Sequence, residues 1–181
     1  MVTIRNLKYK VVENFLTQEE IELGVKYNIH RHRNNTTNFA DTQSNNRDTS
    51  FYGDPLTDAL LYNKINLMEK ETNLKLFPTY SYSRLYTYNA ELKNHFDRPS
   101  CEISVTVMFG SCGTEWPIYM GDKPVLLKPG DACIYLGCEL NHYRKTFTGD
   151  WHSQMFLHYV DKNGPNAEWK YDKTPPLFDL G

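Results

Sequence analysis

From Pro78 onward the chain stops repeating apolar residues every third or fourth position and begins to alternate them. Tyr80–Tyr88 alternates and is rich in tyrosine, and Cys101–Phe109 puts Ile103, Val105, Val107 and Phe109 on one face. That period of two is the signature of a strand with distinct faces. Pro117–Met120 and Val125–Leu127 flank Gly121-Asp122-Lys123-Pro124, which reads as a hairpin turn. Lys128-Pro129-Gly130-Asp131 is a second turn, leading into Ala132–Leu136, and His152–Val160 is the last clear strand. About eight short strands in succession must cover their edges, and the simplest solution is a mainly β jelly roll.

What precedes Pro78 reads as a helical buttress over about residues 17–73. Thr17 with Glu20 forms a capping box, Leu16 and Ile21 can staple it, and the helix is expected from about Gln18 to Tyr27. Asp54 and Pro55 supply an N-cap and a first helical residue. From there Leu56, Leu60, Leu61, Ile65 and Met68 recur at helical spacing until Thr72-Asn73. Between these helices, Asn34–Ser50 is polar with almost no apolar anchor, so it reads as a surface loop, either a lid or disordered. The tail, 161–181, is proline-punctuated and irregular, with Trp169 and Leu177-Phe178 as candidate anchors. The expectation is one domain over 1–181, with a β core over about 80–160. A net charge of −2 gives no nucleic-acid footprint, and no apolar run is long enough for a membrane span. A secretory signal is not evident, so a cytoplasmic protein is expected. Cys101, Cys112, Cys133 and Cys138 show no CxxC spacing and read as buried, reduced thiols in or beside strands.

The chemistry-bearing residues lie at the two ends of this β region. His95 and Asp97 are two apart in sequence that reads as strand, where i and i+2 share a face. His142 follows between two later strand-like runs. A short HxD pair arises often by accident, so the third ligand matters. Two histidines and one carboxylate on one side of an ion, with other positions open, suit a non-haem Fe(II) oxygenase. Other candidates point elsewhere: His30 and His32 sit between arginines and read as cationic surface, and His158, among Met155, Phe156, Leu157 and Tyr159, reads as a core histidine. Arg98 reads as a substrate contact or a rim charge, and Trp116, Tyr119 and Trp151 as core aromatics. No Gly-rich phosphate loop, nucleophile elbow or HExxH occurs.

Three segments carry a resemblance: VVENFLTQEEIEL (Val11–Leu23), SRLYTYNAELKNHFD (Ser83–Asp97) and KPGDACIYLGCELNH (Lys128–His142). In this order they resemble the Fe(II)- and 2-oxoglutarate-dependent oxygenase superfamily, closest in layout to its prolyl-4-hydroxylase-like branch. The resemblance implies a double-stranded β-helix with N-terminal helices packed on one sheet. It implies that His95, Asp97 and His142 ligate Fe(II), and that 2-oxoglutarate and O2 are consumed while an amino-acid, peptide or protein side chain is hydroxylated and succinate released. A carboxylate at position 97 argues against halogenase chemistry, which in this superfamily vacates that ligand for a halide.

At the far end of the cosubstrate the chain departs from the family. Relatives place Arg or Lys about ten residues after the distal histidine, with Ser or Thr two further on; here those positions hold His152 and Gln154. A protonated His152 with Gln154 offers a carboxylate one partner. Arg144, two residues after His142, offers another, with Lys145 and Arg84 as rivals. Tyr86 matches a tyrosine that contacts 2-oxoglutarate in the branch. The competing readings are a cupin-like metal protein or zinc hydrolase on the same roll, and a non-catalytic binding module. A small-molecule or peptide partner is expected; substrate identity and oligomeric state are not legible.

Overall fold

The computed structural model describes residues 3–34 and 43–174. In chain order the elements are α1 (Ile4–Leu7), β1 (Tyr9–Val12), α2 (Gln18–Asn34), β2 (Asp48–Tyr52), α3 (Pro55–Asn63), α4 (Ile65–Thr72), β3 (Leu76–Thr87), β4 (Leu92–His95), β5 (Ile103–Ser111), β6 (Ile118–Met120), β7 (Lys123–Val125), β8 (Ala132–Tyr135), β9 (His142–Arg144) and β10 (Trp151–Asp161). Two antiparallel sheets face each other. The large one has the order β1-β8-β5-β10-β3-β2 and the small one β4-β9-β6-β7. This is the double-stranded β-helix expected, with α2, α3 and α4 packed on the outer face of the large sheet.

The large sheet's central strands are buried on both faces, and the two faces differ in kind. Ile103, Val105, Val107 and Phe109 of β5 join Met155, Leu157 and Tyr159 of β10 in the core shared with the helices. The intervening residues, Ser104, Thr106, His152, Gln154 and His158, are equally buried but polar. They point toward the small sheet. A strand can afford polar side chains inside only where they are hydrogen-bonded or serve a ligand.

The helices α2 and α3 begin as expected, whereas α1 has no counterpart in the sequence reading. Thr17 N–H donates to Glu20 Oε2 (2.9 Å) and Glu20 N–H to Thr17 Oγ1 (3.3 Å). Asp54 caps α3 by accepting from the Leu56 N–H, and Asn73 closes α4 in the left-handed conformation. Several boundaries differ from the sequence reading. The helix α2 runs seven residues past Tyr27, to Asn34. His30–Arg33 therefore continue it, because their long side chains find partners across the sheet: Arg31 lies over the Phe51 ring (4.3 Å) and His32 Nδ1 meets Thr49 Oγ1 (2.7 Å). The single helix expected after Pro55 is two, divided at Lys64, whose ammonium pairs with Glu20 (2.7 Å). The polar stretch read as a loop to Ser50 ends in β2, which pairs with β3; residues 35–42 lie outside the described residues. Lys123-Pro124, read as part of a turn, belongs to β7. As an edge strand β7 tolerates a proline. In the tail Trp169 is half-buried beneath Lys173, and Leu177-Phe178 fall outside the described residues. All four cysteines are free thiols, and Cys112 is exposed, not buried. Among the described residues no helix is long and apolar enough to cross a membrane.

The helical layer meets the sheet at Gly24, where an added Cβ would stand 2.1 Å from the Phe109 ring. Gly24→Ala is expected to lower stability by about 1–3 kcal/mol through overpacking. Chemical denaturation measures it, and an unchanged midpoint would show that α2 does not seat on Phe109.

Candidate metal centre and its cavity

The centre is built by strand register. His95 on β4 and His142 on β9 are direct partners across the small sheet. The next pair in register is Leu92 with Arg144, so β4 carries one more residue than β9 between them. This bulge turns His95 onto the inner face already used by Leu92, where simple alternation would have aimed it outward. Asp97 is not on the strand as the i, i+2 reading supposed: β4 ends at His95. Asp97 is placed by its N–H, which donates to the Gly137 carbonyl at 2.9 Å, and Phe96 between the two ligand candidates is 60% exposed.

The result is three ligand atoms within 4.8 Å of one another. His95 Nε2 and His142 Nε2 each lie 3.5 Å from Asp97 Oδ1. Each imidazole is oriented the same way. Nδ1 faces a main-chain carbonyl two residues earlier, Lys93 for His95 (2.7 Å) and Leu140 for His142 (3.0 Å). A carbonyl can only accept, so Nδ1 carries a proton in each ring; without a cation Nε2–H can donate to Asp97 Oδ1, and with one bound each Nε2 would present its lone pair instead. Burial pushes the Asp97 carboxyl up, but its contacts with His142 and His95 outweigh it and hold the group well below the usual carboxylate range. Its second oxygen lies 3.2 Å from Ser104 Oγ.

A cavity of about 390 Å³ opens onto this triad. Tyr80, Tyr82 and Arg84 of β3 and Phe156 and His158 of β10 form its wall, with Tyr52, Gln43 and Arg98 toward the mouth. His158 is therefore not a core histidine but a cavity residue; burial lowers its pKa to about 4, leaving it neutral near pH 7. Arg84 is held by Asp48 at 3.2 Å. Arg98 forms a two-point pair with Asp172 (2.9 and 2.8 Å), so the tail closes one side of the mouth through a residue the sequence did not single out.

Behind the cavity lies the cluster named from sequence at the cosubstrate end. Tyr86, Arg144, His152 and Gln154 are brought together, sealed by Trp116 and Phe147. Gln154 is engaged at both ends, donating to Thr106 Oγ1 (2.6 Å) and facing His152 Nε2 (2.8 Å) with its oxygen. Burial, with Arg144 nearby, lowers the His152 pKa to about 3. His152 is thus neutral at pH 7 instead of the cation the sequence suggested. Arg144 is 3% exposed, donates to the Trp116 carbonyl and lies over the Trp116 ring (4.7 Å). Among the described residues no carboxylate pairs with it. Burial lowers its pKa to about 10, so it stays charged. Among the described residues three buried polar atoms in this cluster have no partner: Arg144 Nε, Tyr86 Oη and His152 Nδ1. Lys145 instead faces outward over Tyr119 (4.9 Å).

Comparison with known proteins gives fold but no close kin. No protein-family model matches the chain, and no curated protein does. Among solved structures it is similar to a Pseudomonas putida prolyl-4-hydroxylase, at 16% identity and TM-score 0.68 over 85% of this chain and 92% of that one. A Trichoplax adhaerens prolyl hydroxylase, in complex with a hypoxia-inducible-factor degradation-domain peptide, matches at 15% identity and TM-score 0.66, covering 88% and 86%. HygX from Streptomyces hygroscopicus, with nickel, 2-oxoglutarate and hygromycin B bound, matches at 12% and 0.65, covering 86% and 84%. The architecture is that of the 2-oxoglutarate/Fe(II) oxygenases.

Gly137 fixes the carboxylate from the other side: a Cβ there would lie 2.4 Å from Asp97 Oδ2 and 2.3 Å from the Cys101 carbonyl. Gly137→Ala is expected to cost about 1–3 kcal/mol and to shift the ring nitrogen resonances of His95 and His142. Unchanged resonances would mean that position 137 does not set the carboxylate.

Proposed function

We propose that this protein is an Fe(II)- and 2-oxoglutarate-dependent dioxygenase that hydroxylates a small molecule or an amino-acid or peptide side chain. The observation that carries the reading is the triad: two Nε2 atoms and one carboxylate oxygen converge beside a cavity inside this fold. His95, Asp97 and His142 would hold Fe(II) on one side and leave its other positions open. When bound, the iron and its cosubstrate supply the oxidising power: O2 is consumed, 2-oxoglutarate is decarboxylated to succinate, and one oxygen atom goes to a substrate C–H.

The cluster beside the cavity, though none of its four residues lines it, carries the unpartnered donors that a dicarboxylic 2-oxoacid would need. A buried guanidinium with no acidic partner among the described residues calls for an anion, because an uncompensated buried charge is costly. Arg144 shares the inner face of β9 with His142, so it would take the distal carboxylate of a ligand that reaches back from the metal. Tyr86 Oη would donate beside it. His152, neutral and tied to Gln154, would shape this end of the pocket without supplying charge. The family's basic residue on the last strand is then replaced by one on the strand of the distal histidine. The aromatic wall of Tyr52, Tyr80, Tyr82 and Phe156 would exclude water and position the substrate carbon.

Anaerobic addition of Fe(II) and 2-oxoglutarate should produce a visible charge-transfer band, and aerobic incubation with candidate peptides and small molecules should release succinate with a product heavier by one oxygen. A colourless protein that retains zinc would overturn the reading. Asp97→Ala should lose most iron affinity, since it removes the only anionic ligand; wild-type affinity would show the ligand set to be wrong. Arg144→Ala should raise the 2-oxoglutarate needed for the band by on the order of ten- to a hundredfold, with Arg144→Lys in between. If neither variant changes it, the anchor lies elsewhere.

A further inference from the structure

The triad's carboxylate has two oxygens, and only one faces the histidines. Oδ1 is 3.5 Å from both Nε2 atoms, while Oδ2 is turned away to Ser104 Oγ at 3.2 Å. Ser104 in turn lies 2.8 Å from His158 Nδ1 and 2.9 Å from the Cys101 carbonyl. Both residues are buried, on neighbouring strands in direct register. A serine hydroxyl has one proton to give. If His158 presents Nδ1–H, the serine accepts from it and its own proton is shared between the nearer Cys101 carbonyl and the carboxylate, the better acceptor of the two because it is charged. Tyr80 packs on the His158 ring (4.5 Å) and holds its plane.

We propose that His158 and Ser104 form a positioning relay, His158 Nδ1–H to Ser104 Oγ–H to Asp97 Oδ2, which occupies the outer oxygen and restricts Asp97 to binding a metal through Oδ1 alone. The inference rests on the ligand set proposed above. One-oxygen binding matters because a carboxylate closing on the ion with both oxygens takes up a position that a two-point cosubstrate needs. The relay also supplies the outer contact that steadies a ligating carboxylate, whose loss typically weakens a metal site by about ten- to a hundredfold.

The test uses Co(II) alone, titrated into metal-free protein and followed by its d–d absorption, with no turnover required. Ser104→Ala and His158→Phe should each weaken Co(II) binding about ten- to a hundredfold and shift the absorption toward a higher coordination number. His158→Asn keeps an N–H donor near the place of Nδ1 and should restore both affinity and spectrum, whereas His158→Gln, with its amide further out, should not. Thermal denaturation of each metal-free variant separates loss of the relay from loss of folding. Wild-type affinity and spectrum in folded Ser104→Ala would overturn the relay while leaving the ligand set intact. Failure of the wild-type protein itself to bind Co(II) would overturn the ligand set first.

Discussion

The antiparallel pairing of β4 with β9 is the constraint on which the centre depends. Main-chain hydrogen bonds put His95 opposite His142, and the extra residue in β4 decides which face His95 presents. Remove the bulge and the imidazole turns outward, however well the rest of the barrel closes. Asp97 is then brought in by a second main-chain bond, to Gly137, at a place where any side chain larger than hydrogen would strike the carboxylate. The centre is thus fixed by backbone before any metal arrives, and the side chains need only adopt one tautomer each.

The large sheet supplies the opposite wall by using both faces of its central strands. The apolar face of β5 and β10 packs on the helices and contributes most of the core. That burial lets the inner face carry serine, threonine, glutamine and histidine, whose desolvation is offset by bonds to one another. His152, Gln154 and Thr106 form one such chain, and His158, Ser104 and Asp97 another. The neutral state of both histidines follows from this setting: burial disfavours the charged ring in each, Arg144 adds to it at His152, and the nearby Asp97 carboxylate does not outweigh it at His158.

Much of this was legible in the chain. Alternation after Pro78 gave the strands, Thr17, Asp54 and Pro55 gave the helix starts, and the HxD with a later histidine marked the residues that converge. Other features were hidden for identifiable reasons. The strand β2 is polar (DTSFY) because its partners are an ion pair and hydroxyls, not a greasy face, so hydrophobic pattern could not find it. His158 looked like core because its neighbours are apolar; only register shows that its side of β10 faces the cavity. Asp172 and Gly137 act through contacts distant in sequence and carry no local signal at all.

Charge balance sorts the arginines of the site more sharply than position does. Arg84 has Asp48, and Arg98 has Asp172, so each is held by the protein and leaves little unmet charge at the cavity wall. Arg144 is buried as deeply as Arg84, yet its contacts among the described residues are a carbonyl oxygen and an indole face. Neither neutralises a cation. Folding such a group without compensation is unfavourable, and it is tolerated where a ligand completes it or where β9 gains something else from the residue. The adjacent unpaired hydroxyl of Tyr86 argues for the ligand, because a residue kept only for packing would not need a second unsatisfied donor beside it. On the function proposed above, the charge that Arg144 lacks would come from a dicarboxylate reaching back from the metal along β9, the strand that carries both His142 and Arg144.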